Sequence, residues 1–123
     1  MTRWIGRAVM AIGLLHTVVG LSLFRSTLAE LFAEGLVNTV NGQPVREFAF
    51  WFIFFGFLAI LLGALIDWCD RLSGPLPAFL GLGLLAISIV LVTIMPVSGG
   101  WLFLVPAVGA LLRSRAVTRA VPA

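Results

Sequence analysis

The sequence predicts an all-α membrane protein, a four-transmembrane-helix bundle with a short interfacial amphipathic helix between spans 1 and 2, on three observations. Of the 123 residues, 61% are hydrophobic and 11% charged, where a soluble domain carries about 25% charge. The mean hydropathy is +1.15, and the apolar residues gather into runs long enough to cross a bilayer. The arginines flank those runs and do not interrupt their middles.

The first span is expected over about 4–24, roughly 31 Å at 1.5 Å per residue, which matches a hydrocarbon core of ~30 Å. Trp4 marks one interface and Arg7 can snorkel back to it. The run lacks a small-residue cleavage site, so it reads as a retained anchor and not a signal peptide. The connection that follows is too long for a tight hairpin. Thr27 and Glu30 have capping-box spacing, and Leu28, Leu31, Phe32 and Leu36 share a helical face, so an amphipathic segment is expected over about 27–37. Asn41-Gly42-Gln43-Pro44 then reads as a turn within an irregular loop.

The second span is expected over about 48–66. It opens on the aromatic cluster Phe48, Phe50, Trp51, Phe52, Phe54 and Phe55, a pattern typical of a membrane interface. It closes at Asp67-Trp68, and Asp70 to Pro77 follows as a polar turn. Arg46 and Asp67 bracket the span on the face of Ala49, Gly56 and Gly63, so both are placed to point inward at opposite ends, while Asp67, Asp70 and Arg71 together read as a solvated turn and not a site. From Leu76 to Leu112 no charged residue occurs, and ~37 residues of helix would reach ~55 Å, nearly twice the membrane core. The run must fold back at Pro96-Val97-Ser98-Gly99-Gly100, where proline ends a helix and paired glycines permit a reversal. This gives spans of about 76–95 and 100–112, the last short and containing Pro106, so a kinked or re-entrant segment is the alternative to a full crossing.

Four crossings put Arg3, Arg7, Arg71, Arg113, Arg115 and Arg119 on one side and only Arg25 and Arg46 on the other. The positive-inside rule then places both termini in the cytoplasm. A pI near 11.2 invites a nucleic-acid reading, but that needs a water-exposed basic face, which arginines at the ends of apolar runs do not make. The single cysteine, Cys69, excludes an internal disulfide and any CxxC motif. The partner implied is the lipid bilayer, with a homo-oligomer or a larger membrane complex left open.

Small residues are periodic. Gly6, Gly13 and Gly20 form one stripe and Ala49, Gly56 and Gly63 another, and helices in lipid associate where small residues allow close approach, so the two stripes are expected to face protein, each other included. His16 lies on the first stripe near the middle of its span. An ionisable group at that depth is a functional-site candidate, and its structural alternative is a hydrogen bond across the interface, for example to Thr93 or Ser88. Haem or metal ligation ranks lowest, because no Cys, Asp or Glu lies at comparable depth to complete a site. Arg46 and Glu47 lie beside Glu30, Glu34 and Asn38, where they form either an access vestibule or a salt bridge that fixes the amphipathic helix. The candidate ligand-binding set is thus His16, Gly13, Gly20, Arg46 and Glu47. There is no GxSxG, HExxH, P-loop or GxGxxG, so an enzyme is disfavoured and no cofactor is expected.

The strings Trp4-Ile5-Gly6, Gly13-Leu14-Leu15-His16, Ala49-Phe50-Trp51-Phe52, Gly63-Ala64-Leu65-Ile66-Asp67 and Met95-Pro96-Val97-Ser98-Gly99-Gly100-Trp101 together resemble a family of small bacterial four-helix membrane proteins known only as a domain of unknown function. The resemblance spans most of the chain. It implies a bacterial inner-membrane location and four helices, and it supplies no activity. The functional expectation is a small membrane protein holding a lipid, quinone or other small apolar molecule near His16. The alternatives are an oligomeric transporter or channel subunit, or a structural accessory subunit, with a haem-binding redox protein behind them.

Overall fold

The computed structural model describes residues 3–72 and 76–120, with side chains described as far as Ser114. Among them are five helices: α1 (Ile5–Leu23), α2 (Arg25–Glu34), α3 (Pro44–Leu72), α4 (Ala78–Ile94) and α5 (Gly100–Ala120). No strand occurs among the described residues. Two of the helices, α1 and α3, are long and apolar enough to cross a membrane, and 33% of each apolar stretch is buried. The remainder turns large apolar side chains outward, among them Leu14, Leu61, Phe57 and Trp51.

The helices form two antiparallel pairs. α1 lies along α3, α4 lies along α5, and the pairs meet where α1 touches α5. The α1–α3 seam is made by the two small-residue stripes facing each other. A Cβ added to Gly13 would come 2.8 Å from Gly56 O and Ile60 N, and one added to Gly6 would come 2.6 Å from Gly63 O. These distances are below ordinary van der Waals contact, so only hydrogen at these positions allows the two backbones to approach this closely. The seam therefore gains its dispersion energy along almost the whole length of α1.

The two pairs are packed at the end that holds the termini. Ile5, Val9, Ala59, Ile66, Leu84, Phe103, Ala107 and Ala110 form one buried cluster. The indole of Trp4 packs against α5 at Gly109, where a Cβ would come 2.5 Å from its Cζ2. Pro106 sits inside α5 and is fully buried. The hydroxyls of Thr17 and Ser88 are also buried, and each donates to the carbonyl four residues back in its own helix, Gly13 at 2.9 Å and Leu84 at 2.7 Å. Such back-bonding satisfies a polar group without a partner helix.

Several sequence expectations are corrected. α3 begins at Pro44, with proline at its first position where a missing N–H costs nothing, and runs unbroken to Leu72. It is longer than the expected 48–66, and Asp67, Asp70 and Arg71 are helical and not a solvated turn. Asp67 and Asp70 are buried at 5% and 2% exposure. α5 continues beyond 112 to Ala120. The amphipathic helix is shorter and earlier than 27–37: it follows α1 directly after Phe24, carries no side-chain cap, and buries only Leu31. Phe32 is exposed, and Leu36 lies beyond the end of the helix. Gly35 (φ +88), Asn38 (φ +62) and Gly42 (φ +79) carry the loop through left-handed backbone, which glycine and asparagine adopt at low cost. Residues 73–75 of the expected polar turn lie outside the described residues.

Candidate functional site

At the end of the fold opposite the termini the two helix pairs separate, leaving a cleft of about 490 Å³. One wall is α1 and α3, the other the junction between α4 and α5. The floor is Phe103, which meets Phe55 edge to face with centroids 6.2 Å apart. The rim includes Leu23, Met95, Val97 and Leu102, all of which are exposed. The cleft therefore opens sideways through the apolar surface.

The junction is held by its own polar groups. Trp101 Nε1 donates to Pro96 O at 2.9 Å, Gly100 N donates to Ser98 Oγ at 3.2 Å, and Met95 N donates to Leu91 O at 2.8 Å. Proline at 96 has no N–H with which to continue α4, and these bonds hold the chain through the break.

His16 is the titratable group in the cleft wall. Its Nε2 lies 2.9 Å from Phe52 O on α3. A carbonyl only accepts, so Nε2 carries the proton and donates. The expected partners Thr93 and Ser88 are not used, because each hydroxyl is already bonded within α4. Gly56, one turn beyond Phe52, has no side chain to shield that carbonyl, and its contact with Gly13 and Thr17 draws α1 close enough for the imidazole to reach it. The ring also stacks on Phe52, centroids 4.0 Å apart and 20° between planes, and meets the edge of Phe55 at 5.2 Å. Among the described residues no hydrogen bond reaches Nδ1.

The other candidate residues lie apart from the cleft. Gly13 and Gly20 are buried in the α1–α3 seam, against Gly56 and Phe52 respectively, and bring His16 to its place without lining the space. Arg46 clasps α2: Nη1 and Nη2 donate to the two carboxylate oxygens of Glu34 at 2.7 and 2.9 Å, Nη1 also reaches Thr39 O at 3.1 Å, and Glu30 lies 3.7 Å away. That bidentate geometry is the salt bridge fixing the short helix. The hydrogen bond from Arg46 holds the Glu34 carboxyl below the usual glutamate range, and the same pair raises the Arg46 guanidinium. Glu47 Oε1 accepts from Gly42 N at 2.7 Å and so ties the loop turn to the start of α3.

Residues that the sequence reading did not select are the aromatic walls Phe48, Phe52, Phe55 and Phe103. The spacing of 48, 52 and 55 is itself a helical stripe, but in a run so rich in phenylalanine nothing separates the cleft face from the outer face. A second cluster lies at the terminal end. Arg113 Nη1 donates to Asp70 Oδ2 at 2.7 Å across α5 and α3, while Asp67 pairs with Arg71 and approaches Arg7 at 3.8 Å. No group of three or more His, Cys, Asp or Glu among the described residues is arranged to hold a metal.

Fold and site define a class: a small all-helical protein of two antiparallel helix pairs, charged at both ends, with an apolar cleft whose wall carries one histidine. The chain belongs to DUF6463, a family of unknown function, whose model matches residues 1–117. No curated protein and no solved structure matches it significantly.

Proposed function

We propose that this chain is an integral membrane protein of four crossings, with both termini on the cytoplasmic side of a bacterial inner membrane, and that it holds a small apolar molecule such as a lipid or quinone in the cleft beside His16. Helix length supports two of the crossings: the uncharged stretch of α3 between Glu47 and Asp67 is about 30 Å, and that of α1 from Arg7 to its end at Leu23 is about 24 Å. Outward-facing apolar side chains along both helices support an apolar surrounding, since the hydrophobic cost of wetting them is about 25 cal/mol per Å². α2, clasped by Arg46, would lie at the outer interface.

The binding reading rests on the cleft. Its volume falls within the roughly 300–1,000 Å³ of small-molecule sites, and an apolar space with one convergent polar group is the usual form of such a site. The packed cluster beneath Phe103 argues against a solute path through a single chain. The test is to reconstitute the chain in nanodiscs, extract bound molecules and weigh them by mass spectrometry, against Leu102→Trp, which fills the cleft from its rim. An extract enriched over bulk membrane in the native chain and depleted in the variant is expected. Identical extracts from both, with the composition of the bulk membrane, would remove the binding reading. Reporter fusions to each terminus test the topology, and opposite sides for the two ends would overturn it.

A further inference from the structure

We infer that the cleft selects a molecule whose polar end is an aromatic ring bearing hydroxyl donors, that is, the hydroquinone form of an isoprenoid quinone in preference to the quinone. The inference rests on the binding reading above and narrows it. Three observations carry it.

The first is the direction of hydrogen bonding at His16. Nε2 is committed as donor to Phe52 O at 2.9 Å. In its neutral form an imidazole has one donor and one acceptor, so Nδ1, which no described residue satisfies, can only accept. His16 lines the cleft, and a ligand hydroxyl within reach of Nδ1 would complete it. A quinone carbonyl would set acceptor against acceptor and leave both unsatisfied in an apolar space, where that omission is costly.

The second is the nature of the walls. Phe48, Phe52, Phe55 and Phe103 border the same space as the imidazole, and their faces and edges suit a flat ring in stacked or edge-to-face contact. A linear alcohol could meet Nδ1 but would leave this surface unused.

The third is depth. His16 stands nine residues from Arg7 and seven from the end of α1 at Leu23, about 14 Å and about 11 Å along the helix. A polar end bound there lies in the middle of the hydrocarbon, beyond the reach of a glycerol or phosphate head anchored at the interface. Isoprenoid hydroquinones are apolar enough to carry their head group to that depth, and the open side of the cleft lets the tail trail into the bilayer.

The experiment measures binding to the full chain in nanodiscs at about pH 8, under anaerobic conditions. The probes are a short-chain isoprenoid benzohydroquinone, its quinone, its dimethyl ether, and a polyprenol of equal length. The expected order is hydroquinone tighter than quinone and dimethyl ether by at least about tenfold, the effect of one well-placed hydrogen bond together with the avoided mismatch, with the polyprenol weaker than the hydroquinone. His16→Phe keeps a ring in the stack and removes the acceptor. It should bind all three ring probes within about threefold of one another, its helicity and monodispersity being checked alongside. Equal binding of hydroquinone and quinone by the native chain overturns the inference and leaves the binding reading standing. A preference that survives His16→Phe, or polyprenol binding as tight as hydroquinone, also overturns it. Failure of every probe and every extracted lipid to bind would remove the binding reading and the inference together.

Discussion

Replacing Gly63 by alanine tests the central packing argument, because the same chemical change at Gly83 should act with the opposite sign. At Gly63 the added Cβ would come 2.5 Å from Met10 N and 2.7 Å from Gly6 O, both backbone atoms of α1. No rotamer change relieves a clash with backbone, so α1 must retreat by about 0.9 Å to restore an ordinary contact of 3.4 Å. A gap of ~0.5–1 Å forfeits a quarter to a half of the dispersion well for each atom pair it opens. Overpacking of this kind costs about 1–3 kcal/mol, set against a gain of up to about 1 kcal/mol from replacing glycine inside a helix. The net expectation for Gly63→Ala is a loss of about 1–2 kcal/mol. At Gly83, within α4, nothing lies within 4 Å of the added atom, so only the propensity gain remains. Unfolding both variants in mixed micelles, followed by helical circular dichroism, measures the difference. If Gly63→Ala equals or exceeds the native chain in stability, the two stripes do not form the tight seam and the position of His16 loses its explanation.

Other outcomes follow from the charged ends. Arg113→Ala leaves Asp70 as an unpaired buried carboxylate and should destabilise by about 3–5 kcal/mol in the same assay, with much of the loss recovered when Asp70→Ala is added. Recovery would be absent if the pair were incidental. The Arg46–Glu34 clasp is acid-sensitive. The folded chain lowers the Glu34 carboxyl, so its contribution is present above the ordinary glutamate range and is lost as pH falls through the lowered value. Hydrogen exchange in α2 should therefore accelerate on acidification from about pH 6 to about pH 3, by exchange measured at matched intrinsic rates. Glu34→Gln should exchange fast throughout, and a native chain indifferent to pH would show that the clasp does not hold α2. Gly42→Val, at a backbone φ of +79°, should loosen the loop and the Glu47 cap, read as raised protease sensitivity between α2 and α3.

Much of this protein is legible from residue type and spacing alone. Apolar runs flanked by charged residues and broken at Pro96 show that the chain is helical and roughly where its helices fall, though not where α2, α3 and α5 end, and the seven-residue recurrence of Gly6, Gly13 and Gly20 and of Ala49, Gly56 and Gly63 marks the faces that pack, because periodicity on a helix is geometry. A salt bridge from Arg46 to the acidic residues of α2 is one of two readings that the sequence offers, beside an access vestibule, and Arg46 makes it with Glu34. What only the tertiary structure decided depends on distances between segments far apart in the chain. Asp67 falls on the inward face of its span by spacing alone, but Asp70 reads as part of a solvated turn until α3 is seen to continue through it and α5 to bring Arg113 alongside. His16 had hydroxyls as its natural partners by type, yet those hydroxyls close on their own helices, and a backbone carbonyl exposed by the absence of a side chain at Gly56 takes their place. The cleft itself has no sequence signature. It exists because two tightly seamed helix pairs meet at one end and part at the other, and the relative placement of two such pairs is set by packing across the whole body and by no local pattern.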